Sequence, residues 1–214
     1  LAGAVMDAAL GRQDYDKALT LIDAAIAQTP DDRGLYAMRL STLSAKGDNA
    51  GVEAGLVNMV ARFPDDPAMA ETLVRWYLSQ NQPDKAEAFL RASADVASDQ
   101  LKVLNLVRFL ADHRGPEAAV AELDARIAEG NSPVIFRATR AGLLFDQGNQ
   151  EAAIAEMQSV IETAEPSDEV QQIRVGLARM LMTVGNPVGA RSLVEEVLKE
   201  DPSDLEANKL KANW

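Results

Sequence analysis

The sequence holds one histidine and no cysteine, which narrows its chemistry before any fold is considered. His113 lies in Ala-Asp-His-Arg-Gly, at the end of a helical stretch. An imidazole there would serve as a metal ligand or an acid–base group, but either role needs partner groups within reach. There is no second histidine and no thiolate, so a serine nucleophile would need a lysine as its base. The expectation for His113 is a solvated side chain near a helix C-terminus, where the helix dipole favours positive charge. No G-x-x-x-x-G-K-S/T and no strand-borne G-x-G-x-x-G is present, so the glycines read as turn punctuation. The pair Glu195-Glu196 sits among alternating charges and reads as a solvated helix face. Trp76-Tyr77 reads as an interior aromatic pair. Non-catalytic work without a metal or cofactor is the expectation.

The composition agrees. The 214 residues are 47% hydrophobic and 25% charged, enough for a packed core and far from a disordered balance. Acidic residues number 33 against 21 basic ones, a net charge of −12. That balance opposes nonspecific binding to nucleic acid or anionic lipid, which needs a basic surface. No apolar run approaches the roughly 18 residues of a membrane span. The first residue is Leu1, and the last residues, KLKANW, fall within a new helical pattern. The chain is therefore expected to be a piece of a longer repeat protein, or a processed one. Its compartment is open, since a cysteine-free chain suits cytoplasm or periplasm.

The elements behind these residues repeat. Ala18, Val52, Ala86, Ala119, Ala153 and Ala190 recur at intervals of 34, 34, 33, 34 and 37 residues. Each sits in a related phrase, among them DYDKALTLI, QPDKAEAFL, GPEAAVAEL and GNQEAAIAEM. A period near 34 marks a solenoid of helical hairpins. In the first repeat Tyr15, Ala18, Leu19, Ile22 and Ile26 form one apolar stripe at helical spacing. Thr29-Pro30-Asp31-Asp32 then stops that helix and caps the next. Helices are expected over 2–11, 15–28, 32–46, 48–62, 67–80, 83–96, 99–113, 116–129, 132–147, 150–163, 168–184 and 187–200, with a thirteenth from about 204. Gly47, Gly115, Gly148 and Gly185 are expected as helix C-caps. No strand pattern is found. The fold class is all-α, one solenoid over 1–214, with a local bend expected at Ala164–Asp168.

These phrases resemble the tetratricopeptide repeat. That motif wants an alanine opening the second helix of each pair, a large residue four later, a small one seven later, and a closing proline. Ala18, Ile22, Ala25 and Pro30 match in the first repeat, and Leu177, Ala178, Leu181, Gly185, Ala190, Val194 and Pro202 in the sixth. The resemblance covers six repeats and a partial seventh. It implies a right-handed superhelix of antiparallel helix pairs. Departures fall at Val52, where alanine is usual, and at Arg126, where a small residue belongs; close packing is in doubt there. The alanine-rich, Asp-Pro-punctuated style is also similar to long bacterial repeat proteins of the cell envelope and exopolysaccharide systems. That points to periplasm or envelope, with cytoplasm compatible.

In this family the first helices line a concave groove. The register places Asp7, Ser41, Arg75, Arg108, Gly142 and Arg179 near mid-helix in that lining, with Asn105, Phe145 and Met182 beside them. Met157 and Met180 fall on the core side instead. Arg75, Arg108 and Arg179 reverse the local sign of an acidic chain, and a guanidinium forks well onto a carboxylate or carbonyl. The competing expectation is that they are solvated, or pair with acids such as Glu71 and Asp112. The chaperone-tail binders of this family use a clamp of Lys and Asn; Asn105 occupies a clamp-like position but the lysines are absent. The resemblance implies a scaffold that binds a protein or peptide partner in its groove. The alternatives are a rigid spacer, or an accessory domain of a larger envelope, export, enzyme or sensor protein. Uncovered solenoid ends are also expected to self-associate.

Overall fold

The computed structural model describes residues 2–11, 14–96 and 99–214. Among the described residues it contains thirteen α-helices and no strand. They are α1 (Ala2–Gly11), α2 (Tyr15–Gln28), α3 (Arg33–Lys46), α4 (Asn49–Arg62), α5 (Pro67–Ser79), α6 (Pro83–Val96), α7 (Gln100–His113), α8 (Pro116–Ala128), α9 (Val134–Asp146), α10 (Gln150–Thr163), α11 (Asp168–Thr183), α12 (Pro187–Glu200) and α13 (Leu205–Ala212). Each expected helix is present, with ends shifted by a residue or two.

The boundaries follow from the residues at them. Asp14, Asp32, Asp48, Asp66, Asp99 and Asp204 each accept a hydrogen bond from a backbone N–H in the first turn of the following helix. This satisfies one of the donors a helix start leaves open. Gly47 caps α3 in the left-handed conformation, as the sequence implies. Gly115 differs: Arg114 caps α7, and Gly115 precedes α8 with φ 101° and ψ 160°, a backbone that only glycine adopts freely. Helix α9 begins at Val134, two residues later than expected. Pro133 biases the residue before it away from helical backbone, and Asn131 already turns the chain with φ 52°.

The chain divides into two compact units, Leu1–Phe89 and Leu90–Trp214, with the boundary inside α6. In the first unit α1 packs on α2, α2 on α3, α3 on α4 and α4 on α5. Its described core includes Tyr36, Met59 and Phe63, with Ile26, Leu40 and Met69 packed against them. The Tyr36 and Phe63 rings meet edge to face at 5.4 Å. In the second unit the helices from α7 to α13 pack in sequence in the same way. One cluster there joins Val103, Leu106, Val107 and Leu110 to Ala119, Leu123 and Phe136. A larger one joins Ala141, Ala153, Met157 and Val160 to Leu177, Ala178, Leu181, Ala190 and Val194.

The recurring alanines are the crossings. Ala18, Ala86, Ala119, Ala153 and Ala190 are all fully buried, and Val52 nearly so. A methyl side chain lets two helix backbones approach closely while larger neighbours fill the flanks. Val52 is accommodated, so the departure at that position does not open the core. Arg126 is likewise absorbed: its head pairs with Glu122 and Asp95, at 2.9 and 2.6 Å. The 37-residue interval contains the irregular stretch Ala164–Ser167 and the longest helix, the 16-residue α11.

Candidate functional site

The residues assigned to the groove lie on α1, α3, α5, α7, α9 and α11. Arg75 stands exposed on α5, in the first unit. Asp7 on α1 and Ser41 on α3, both exposed, are in the first unit too, and the rest lie in the second. On α7, Leu101, Asn105, Arg108 and Asp112 recur at helical spacing and all are exposed, while Val103, Leu106, Val107 and Leu110 are buried on the opposite side. Among the described residues, no ion pair joins Arg75 to Glu71 or Arg108 to Asp112, and neither arginine has another carboxylate partner. Their guanidinium donors face solvent.

Arg179 on α11 differs. It pairs with Glu206 of α13, which also accepts from Lys209 at 2.7 Å. The lysine first, and the arginine with it, hold the Glu206 carboxyl below the usual carboxylate range. Both partners are substantially exposed, so solvent screens the pair. Phe145 on α9 and Met182 on α11 are half-buried against one hydrophobic cluster. Both therefore pack against the core of the second unit, while Asn105 and Arg108 belong to a separate exposed stripe. Gly142, on α9, has open space where a side chain would project.

The other residues singled out in the sequence lie outside this set. Tyr77 is buried, half-buried Trp76 has its ring 5.6 Å away, and Met157 is in the core. The Tyr77 hydroxyl donates to Glu53, and burial, then that carboxylate, pushes the phenol up from its ordinary value. His113 is the exposed last residue of α7, its ring 4.6 Å from that of Phe109. Among the described residues no group of three or more potential ligand side chains could hold a metal ion, and no helix is long and apolar enough to cross a membrane.

A second charged constellation had not been singled out. In the second unit Glu156 on α10 accepts from Arg137 Nε and Arg140 Nη2, each at 2.8 Å, and Arg140 also reaches Asp124 at 2.7 Å. The hydrogen bond from Arg137, more than that from Arg140, holds Glu156 below the usual carboxylate range. The signal was present as a spacing. Asp23 and Arg39 are 16 residues apart, as are Asp124 and Arg140, and both form ion pairs of 2.7 Å. That interval carries a residue from the second helix of one repeat to the first helix of the next.

Helical hairpins stacked on alanine crossings at a 34-residue period define a tetratricopeptide-repeat solenoid, and the chain has that fold. Solved structures agree. A tetratricopeptide repeat protein from Parabacteroides merdae ATCC 43184 matches with TM-score 0.53 and 13% identity, covering 98% of this chain and 81% of that one. PilW, a type IV pilus biogenesis factor, matches with TM-score 0.50 and 17% identity, covering 98% and 96%. In sequence, the chain is 29% identical over 181 residues to cellulose synthase operon protein C of Pseudomonas fluorescens (strain SBW25). That match takes in 78% of this chain and 14% of the relative, so the chain spans only a small part of that protein's length. No family model matches.

Proposed function

We propose that the chain is a non-catalytic scaffold that binds an acidic or carbonyl-presenting segment of a protein partner on its first helices. The observation that carries this reading is Arg108. It is exposed and unpaired beside Asn105 and Leu101, in a chain of net charge −12 where most arginines of the second unit are already paired. Arg75 stands the same way on the first unit. Arg179, Phe145 and Met182 extend the set, with Gly142 leaving room beside them. An acidic chain has little use for nucleic acid, and a protein surface suits the fork of arginine donors. The whole 1–214 stretch acts as one solenoid in this reading.

The test is affinity capture with the chain as bait, followed by titration of one recovered partner. Arg75→Glu with Arg108→Glu should weaken binding at least about tenfold and remove its salt sensitivity. Binding by the double variant as tight as that of the wild type, at low and high salt alike, would overturn the reading. A second reading is favoured by the cellulose synthase operon relative: the chain is one stretch of a long envelope repeat protein in exopolysaccharide export, acting as spacer or accessory domain. Under it, the arginine changes leave capture untouched, and export is lost when the whole stretch is excised from the full-length protein.

A further inference from the structure

A crevice of about 420 Å³ opens in the first unit between α2, α3 and α4. Ile26, Tyr36, Leu40 and Met59 line its apolar part, and Ala54 and Gly55 form a low wall on α4. Asp23 and Arg39 stand at it, paired through Arg39 Nε at 2.7 Å. Among the described residues Arg39 has no second acceptor, and its side chain is one-third exposed.

The same place occurs once more in the chain, 101 residues on, where Ala119 stands for Ala18. Asp124, Ile127, Arg140 and Ala155 there repeat Asp23, Ile26, Arg39 and Ala54. Three positions differ in a telling way. Tyr36 becomes Arg137, Leu40 becomes Ala141, and Gly55 becomes Glu156. In the second unit the Glu156 side chain accepts from both Arg137 and Arg140. In the first unit the residue that would supply that carboxylate has no side chain. A Cβ at Gly55 would stand 2.7 Å from Leu40 Cδ2 and 3.9 Å from Arg39 Nη1, so the flexible end of Leu40 lies against this wall beside the free end of the guanidinium.

We propose that the first-unit crevice binds a glutamate side chain from a partner protein, its carboxylate on Arg39 in the position Glu156 fills for Arg140. The methylenes of the incoming side chain would lie on Leu40, Ile26 and Met59, and Asn58 at the rim offers an amide donor. An arginine already oriented by Asp23 keeps free donors aimed at the acceptor, so little ordering is needed on binding. The source of the carboxylate rests on the scaffold reading; the carboxylate chemistry of the crevice does not.

The test is titration of the isotope-labelled chain, following the Arg39 Nε–H resonance and the Gly55 and Tyr36 amides. One probe is the peptide AAIAEMQS, a copy of residues 152–159 that carries Glu156. A second is the same peptide with glutamine at that position, and a third is glutarate. The glutamate peptide is expected to shift all three resonances, with about tenfold weaker binding after Arg39→Gln. Gly55→Glu should abolish the shifts by supplying the carboxylate from within; its Cβ meets only the movable end of Leu40. Circular dichroism of both variants checks the fold. Equal shifts from the glutamine peptide, or no shift with any probe, overturn the site. Shifts from glutarate alone overturn the protein-borne source. Partner capture through Arg108 is measured separately, and Arg39→Gln should leave it unchanged, so failure of one reading is distinct from failure of the other.

Discussion

At the scale of single residues, what separates the arginines is the company they keep. Arg140 and Arg137 share Glu156, Arg126 has Glu122 and Asp95, and Arg179 has Glu206. Arg75 and Arg108 are exposed without such partners, so reversing their charge breaks nothing inside the protein. Arg108→Glu is expected to leave the unfolding midpoint nearly unmoved, within about 0.5 kcal/mol, while binding falls; urea titration beside the binding assay separates the two. Glu156→Gln should do the reverse. Removing the shared acceptor of two half-buried arginines is expected to cost roughly 1–2 kcal/mol after solvent screening. Because Glu156 is held below its ordinary value near 4.5, the unfolded chain takes up a proton first as pH falls. The gap between wild type and variant should therefore be full above about pH 4.5 and close as pH drops through the folded value. A gap that persists at the acid end would refute this account. His113→Ala is expected to cost only the contact with Phe109, read from the same urea titrations.

At the scale of helices, the fold was legible because each signal is local and repeated. An aspartate at a helix start, a glycine or asparagine in the turn and an alanine at the crossing each act over a few residues, and the period multiplies them. What escaped was pairing across helices. Glu156 looked like any surface glutamate in GNQEAAIAEM, since its partners lie 16 and 19 residues away on another helix. The pairing of Arg179 escaped for the same reason, its acceptor lying on α13. The crossings themselves give a direct prediction. Ala153→Leu puts three extra carbons where no space exists, and overpacking of this kind costs about 1–3 kcal/mol. The same change at Ala88, exposed on α6, should be near neutral. Equal stabilities by urea unfolding would mean the alanine period is not set by packing.

At the scale of the whole chain, the two units each carry a tryptophan, Trp76 in the first and Trp214 in the second. Trp214 packs against the second unit's large cluster, with the Arg191 guanidinium 5.4 Å from its ring. Single-tryptophan variants can therefore report each unit by fluorescence. The one-solenoid proposal expects superimposable urea transitions, and two separated midpoints would replace it with two domains. The end of the chain offers a second observable. Leu205 on α13 is 66% exposed, beside half-buried Leu210. Leu205→Glu should reduce concentration-dependent association in sedimentation if this face attracts a second copy; an unchanged profile would end that idea.

The ion pairs between neighbouring repeats have a mechanical meaning. Arg62 reaches back 31 residues to Asp31 and Arg126 reaches back 31 to Asp95, while Lys85 meets Glu53 and Arg33 meets Asp66. Each is a stay across the seam between one hairpin and the next, tied on the surface where dissolved ions can loosen it. The buried alanine crossings are indifferent to salt. Within each unit, then, the force needed to peel one hairpin from its neighbour has a fixed part and a part that ionic strength can dial down. Pulled end to end, such a molecule would yield more softly in brine than in dilute buffer, a spring whose stiffness is tuned by its medium.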